Sequence, residues 1–182
     1  MKKINVKLPG VYILEPKVHG DHRGFFMESY NNQTFEQLGF NYSFVQDNHS
    51  LSAEAGTLRG LHYQNSPKAQ TKLVRVISGA VYDVVVDIRK DSPTYGEWFG
   101  VILSASNKRQ LLIPKGFAHG FCTLVPNTEV IYKVDELYSP EHDRGILWSD
   151  PQLNIDWPSS DPILSEKDQL LPLLKDADIQ FD

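Results

Sequence analysis

The run Lys72-Leu-Val-Arg-Val-Ile-Ser-Gly-Ala-Val-Tyr-Asp-Val-Val-Val-Asp-Ile88 decides the fold class. Gly79 splits it into two stretches, 72–77 and 80–88, both dominated by Val, Ile and Tyr and partly alternating. That is the pattern of short β-strands. The same punctuation continues outward, because 12 glycines and 11 prolines break the whole chain. Further strands are expected at 10–14, 24–30, 42–51, 58–64, 98–105, 110–113, 116–125 and 129–137. Only two helices are expected. One covers 34–38 and stops at Gly39. The other covers 165–175, opens with the capping-box pattern Ser165-Glu-Lys-Asp168 and carries Leu170, Leu171, Leu173 and Leu174. Short strands in series without intervening helices exclude a βαβ sheet and predict a mainly β sandwich or barrel. A jelly roll is the natural architecture, since closing its sheets leaves an interior for a ligand.

Composition agrees. The 182 residues fit one domain over 1–182, long enough to bury roughly 70% of the unfolded surface without staples. Hydrophobic residues make up 41% and charged residues 23%, which excludes a disordered or fibrous chain. A net charge of −5 gives no overall bias toward nucleic acid or an anionic membrane. The single Cys122 excludes an internal disulfide framework and a cysteine-based zinc site. No secretory signal pattern opens the chain, and the longest apolar runs are about five residues against roughly 20 for a membrane span. A cytoplasmic protein is expected. Residues 143–158 are expected as a loop over one end of the barrel.

Dinucleotide, P-loop, His-Glu-x-x-His, Gly-x-Ser-x-Gly and Cys-x-x-Cys patterns are all absent. What remains are polar residues inside apolar strands. In Thr57-Leu-Arg-Gly-Leu-His-Tyr-Gln64, period 2 places Gly60, His62 and Gln64 on one face and Arg59, Leu61 and Tyr63 on the other. If His62 lines the interior, Gly60 leaves room for a ligand to approach the backbone; a satisfied core histidine is the alternative. Pro114-Lys-Gly-Phe-Ala-His119 resembles the second half of a cupin motif, whose histidine often binds metal. The earlier half would fall on His62-Tyr-Gln64, with glutamine in place of a second histidine and no nearby acid, so a metal-free barrel is expected. Lys72 shares a face with Val74 and Val76, and Tyr132 shares one with Val130 and Val134. Pointed into one barrel, His62, Lys72, His119 and Tyr132 supply a base, a cation, a donor and an acid, the parts of a proton-transfer site. A second constellation is Asp21-His-Arg-Gly-Phe-Phe-Met-Glu28 with Gln46-Asp-Asn48. Arg23, Arg59 and Lys72 carry enough positive charge for a diphosphate, and Phe26 and Tyr138 could stack on a base.

These motifs, together with Ser92-Pro-Thr-Tyr-Gly-Glu-Trp98 and Ile113-Pro-Lys-Gly-Phe-Ala-His-Gly-Phe121, resemble the dTDP-4-dehydrorhamnose 3,5-epimerase family over nearly the whole chain. The resemblance implies a cupin-type jelly roll acting as a homodimer on a dTDP-sugar, without metal or organic cofactor. It implies His62 as base with Asp168 as its partner, Lys72 as enolate stabiliser and Tyr132 as acid. Nucleotide-sugar contacts would fall on Arg23, Glu28, Gln46, Asp47, Asn48, Arg59, His119 and Lys167, with Tyr138 near the base and sugar. Asp143 stands where the family usually has a glutamate contact, and Asp168 doubles as the fourth residue of the Ser165 capping box. In the homodimer, the segment 17–30 would add to the neighbour's sheet and complete its site with Arg23, Phe26 and Glu28. Three alternatives stay open: a single-carbon epimerase or ketoisomerase of another deoxysugar, a nucleotide-sugar-binding module without turnover, and a metal-dependent cupin.

Overall fold

The structure is a computed structural model and describes residues 1–181. Its strands run β1 (Lys2–Asn5), β2 (Tyr12–Glu15), β3 (Val18–Asp21), β4 (Gly24–Met27), β5 (Gln46–Ser52), β6 (Leu58–Gln64), β7 (Lys72–Ser78), β8 (Ala80–Asp87), β9 (Trp98–Ser104), β10 (Gln110–Ile113), β11 (Phe117–Thr123), β12 (Thr128–Val134) and β13 (Asp143–Gly145). Two short helices, α1 (Asn32–Gln37) and α2 (Glu166–Gln169), and a 3-10 turn at Leu174–Asp176 complete it. A six-stranded sheet (β1-β2-β10-β7-β12-β5) faces a five-stranded one (β13-β6-β11-β8-β9), and β3 and β4 form a separate hairpin. All the strand pairings are antiparallel. No described helix is long and apolar enough to cross a membrane.

The alternation of each strand explains how the sheets stack. Ile13, Val74, Val76, Leu111 and Val130 from one sheet meet Val81, Val85, Leu103, Phe117 and Phe121 from the other in the inter-sheet core. β8 is covered on both faces, because Val84 and Val86 join Leu61, Tyr63 and Ala118 under the C-terminal segment. That double burial is why its sequence is nearly continuous in valine. The outer face of the six-stranded sheet is covered around Leu14, Leu73 and Leu112 by Phe35 and Phe40, with Tyr30, Tyr42 and Phe44 beside them.

Three expectations need correction. Residues 143–158 do not cap the barrel end. They begin as β13 on the edge of β6, and Ile146, Leu153, Ile155 and Trp157 then pack on the outer face of the five-stranded sheet. The helix expected over 165–175 ends at Gln169, since Pro172 has no N–H and disfavours helix in the residue before it. Period 2 also fails within β6. His119 pairs with His62 and Phe121 with Arg59, so two steps along β11 match three along β6. The extra residue is a bulge that reverses the phase, and Arg59 joins His62 on the interior side.

Gly60 makes that bulge fit. Its φ is +125°, and a Cβ there would lie 2.6 Å from Gly120 Cα and 2.8 Å from the His119 carbonyl oxygen, where neither backbone can yield. Gly60→Ala is therefore expected to cost on the order of 3 kcal/mol. A urea unfolding midpoint indistinguishable from wild type would refute this.

Candidate active site

Between the sheets lies a cavity of about 450 Å3. The inward faces of β7, β11 and β12 place Lys72, His119 and Tyr132 on its lining, in phase with their valine and phenylalanine neighbours, and β6 adds His62. Arg59 lines it by way of the bulge. Ser165, Lys167 and Asp168 close it from the strap that carries α2. That strap is tied down where the Leu58 amide donates to the Ile163 carbonyl and the Ile163 amide to the Gly56 carbonyl, both at 2.9 Å.

His62 and Asp168 form a dyad. The Asp168 carboxylate lies 2.6 Å from His62 Nε2, and its other oxygen accepts from the Gly60 amide at 3.4 Å. The Ser165 hydroxyl takes the Asp168 backbone N–H at 3.1 Å, so capping occupies that residue's amide and leaves both carboxylate oxygens to the site. Burial alone would raise the Asp168 pKa. The hydrogen bond and charge of His62, with the Gly60 amide and Ser165, hold it below the ordinary aspartate value. A carboxylate accepting from Nε2–H leaves Nδ1 as the basic atom of a neutral ring.

The opposite wall carries the other two groups. Burial pushes Lys72 down to about 8, against the opposing pull of Asp143 and Asp83, and its ammonium donates to the His62 carbonyl at 3.4 Å. Burial raises Tyr132, and Asp143 adds to that against the opposing Arg59, so the phenol keeps its proton at neutral pH. At the rim, Asp143 accepts from Lys167 at 2.5 Å and from the Tyr138 hydroxyl at 3.2 Å. The shorter aspartate arm is thus engaged within the chain. Arg59 donates to the Ser52 hydroxyl and the Leu51 carbonyl, both at 3.2 Å.

Other expected residues stand apart from this cavity. Gln46 accepts from the Tyr138 amide, tying β5 to that loop, and donates to Asn48. Asp47 and Asn48 line a hollow of about 250 Å3 with Tyr30, Arg75 and Lys133. Arg23 pairs with Asp21 on the exposed hairpin, Phe26 is 72% exposed, and Glu28 accepts from Asn31 and Thr34. Gln64, placed on the cavity face by simple alternation, spends its amide on the carbonyls of Lys68 and Leu137 and the amide of Ser139. It anchors the loop that bears Tyr138. Among the described residues no group of three or more His, Cys, Asp or Glu side chains is placed to hold a metal ion. One residue the sequence reading passed over is Asp83, fully buried and bonded to His119 Nε2 at 2.9 and 3.0 Å. Its signal was present: an acid in phase with Val81 and Val85 on an apolar strand.

Comparison with known proteins points the same way. A sequence model of the family described as dTDP-4-dehydrorhamnose 3,5-epimerase matches residues 5–176. The Shigella flexneri protein called dTDP-4-dehydrorhamnose 3,5-epimerase is 59% identical over 169 residues, covering 92% of this chain and 93% of that protein. The Bacillus anthracis dTDP-4-dehydrorhamnose 3,5-epimerase structure with TDP and PPi bound superposes with a TM-score of 0.93 at 63% identity, covering 94% of this chain and 98% of that one. A dTDP-6-deoxy-D-glucose-3,5-epimerase from Legionella pneumophila, in complex with dTDP-4-keto-L-rhamnose, gives 0.94 at 49% identity, covering 100% and 98%. These matches cover more than nine-tenths of the chain, and the chain belongs to the dTDP-4-dehydrorhamnose 3,5-epimerase family.

Proposed function

We propose that this isomerase inverts C3 and C5 of dTDP-4-dehydro-6-deoxy-D-glucose, giving dTDP-4-dehydro-L-rhamnose for dTDP-L-rhamnose synthesis. The observation that carries the proposal is one cavity with a carboxylate-backed imidazole on the five-stranded sheet and a phenol with an ammonium on the six-stranded sheet. Facing sheets stand about 10 Å apart, which leaves room for a sugar ring between the two walls.

C3 and C5 both flank the C4 ketone. His62 Nδ1 takes the proton from C3, and the C–H electrons form the C3=C4 bond while the carbonyl pair moves onto O4. The Lys72 ammonium meets that oxyanion in a poorly solvated site, where a fixed charge counts most. Tyr132 then gives its proton to C3 from the opposite face, and the two side chains recover their starting states through solvent. Repeating the sequence at C5 completes the inversion, and side chains account for each proton and charge. Arg59 and Lys167 at the rim, with His119, suit the diphosphate and sugar oxygens.

Lys72 must be charged to act, and lysine loses its charge as pH rises through its pKa. With that value lowered to about 8, kcat is expected to fall above pH 8. A profile flat from pH 7 to 10 would contradict the oxyanion role.

The working unit in this proposal is a homodimer. β5 is an edge strand and begins with Gln46, Asp47 and Asn48, while the β3–β4 hairpin presents Phe25 and Phe26 at 58% and 72% exposure. A hairpin from the neighbour laid along that edge would bring Arg23, Phe26 and Glu28 to the nucleotide end. Sedimentation that found full activity in a 20.7 kDa monomer would remove this part. The reaction itself is tested by an NMR time course of the keto sugar with purified protein. The new vicinal couplings must report inversion at both carbons; inversion at one indicates a single-carbon epimerase, and an unchanged sugar indicates a binding module.

A further inference from the structure

Asp83 occupies the middle of β8, fully buried, on the face it shares with Val81 and Val85 of the inter-sheet core. A lone carboxylate in such a place is costly unless paired and hydrogen-bonded. Both its oxygens lie within hydrogen-bond distance of His119 Nε2, at 2.9 and 3.0 Å. His119 itself is 7% exposed and lines the cavity. With Nε2 engaged, only Nδ1 of that ring is left for a substrate oxygen.

Lys72 has the complementary deficit. It has one hydrogen bond, to a carbonyl, and no ion pair among the described residues. The charged and titratable groups around it are Asp83 on β8, Asp143 on β13, His62 and Arg59 on β6, His119 on β11, Tyr132 on β12, and Lys167 and Asp168 on α2. Of the two carboxylates that act on Lys72, Asp143 is already shared between Lys167 and Tyr138 at the rim. Asp83 is the other, fully buried and bonded to His119, which lines the same cavity as Lys72.

We propose that Asp83 is a positioning residue for the epimerisation, anchoring the His119 ring through Nε2 and supplying the buried counter-charge for the Lys72 ammonium. The inference rests on the reaction proposed above. Asp83 touches no reacting atom in this scheme and acts through Lys72, which meets the oxyanion, and His119, which meets the substrate's oxygens. Burial already brings Lys72 down to about 8 with Asp83 opposing it. Deleting that charge lowers it further, so the ammonium is lost at a lower pH.

Asp83→Asn isolates the charge, because the amide oxygen keeps the shape and can still accept from Nε2–H. The experiment compares kcat and KM from pH 6 to 10 in wild type and variant. The alkaline limb of kcat is expected to move down by about half a unit or more, with KM below the limb within about twofold. A limb that stays in place, whatever the change in kcat, overturns the counter-charge role. His119 is checked without any variant, by nitrogen-15 NMR of the wild-type imidazoles. A slowly exchanging proton on Nε2 supports the anchor, and an unprotonated Nε2 refutes it. Should Asp83→Asn fail to fold, this second measurement still decides the anchor, and an unprotonated Nε2 overturns it. Wild-type protein that leaves the keto sugar unchanged would refute the proposed reaction instead; normal turnover with an unmoved limb would refute only the part given to Asp83.

Discussion

Replacing His62 with alanine is expected to abolish hydrogen exchange at both C3 and C5 of the keto sugar. Among the described residues, His62 and His119 are the two imidazoles on the cavity lining, each with a carboxylate at Nε2, and Asp168 holds His62 at 2.6 Å. That second imidazole is held by Asp83 and is assigned here to binding. Lys72 cannot substitute, since most of it is charged at pH 7 with a pKa of about 8. The loss should reach at least ~10²–10⁴-fold, the usual contribution of a positioned proton-transfer group. Asp168→Asn should lower kcat with little change in KM, because it acts on the orientation and basicity of His62. Deuterium incorporation measured by proton NMR checks both. Persistent exchange in His62→Ala would move the base to another residue.

Tyr132→Phe should separate exchange from inversion. The substitution retains the ring among Val74, Val130 and their neighbours in the core and deletes only the hydroxyl. His62 can still remove a proton, exchange it with solvent and deliver a deuteron to the same face, so deuterium should enter while net inversion drops by roughly 10²–10⁴. The check is wash-in at C3 and C5 beside the stereochemistry of the recovered sugar. Loss of exchange and inversion together would make Tyr132 an oxyanion-binding or structural residue. Inversion at the normal rate would pass the acid role to Tyr138 or a bound water.

Much of this site was legible because its polar residues interrupt apolar strands in phase. Lys72 before Val74 and Val76, and Tyr132 between Val130 and Val134, faced inward as their alternation required. The capping box at Ser165 likewise formed where its pattern placed it. Alternation failed in β6, because a bulge is a property of the pair: only the approach of Gly60 to Gly120 on β11 reveals it, and it moved Arg59 to the side of His62. β13 was invisible for a similar reason. Three residues, Asp-Arg-Gly, carry no strand signal until they pair with β6. Asp83 was overlooked within a valine run whose double burial masks the acid facing inward. The hairpin residues Arg23, Phe26 and Glu28 stand away from the cavity, and only the proposed homodimer would bring them to it.

The central claim is that one cavity takes a proton from each carbon flanking the ketone and delivers another, drawn from solvent, on the opposite face. Its most direct test is conversion of dTDP-4-dehydro-6-deoxy-D-glucose by the wild-type protein in deuterated water, with label mapped carbon by carbon in the product. The account predicts deuterium at both C3 and C5 of a sugar inverted at both. Inverted product without deuterium at one of those carbons, or no conversion at all, would contradict it.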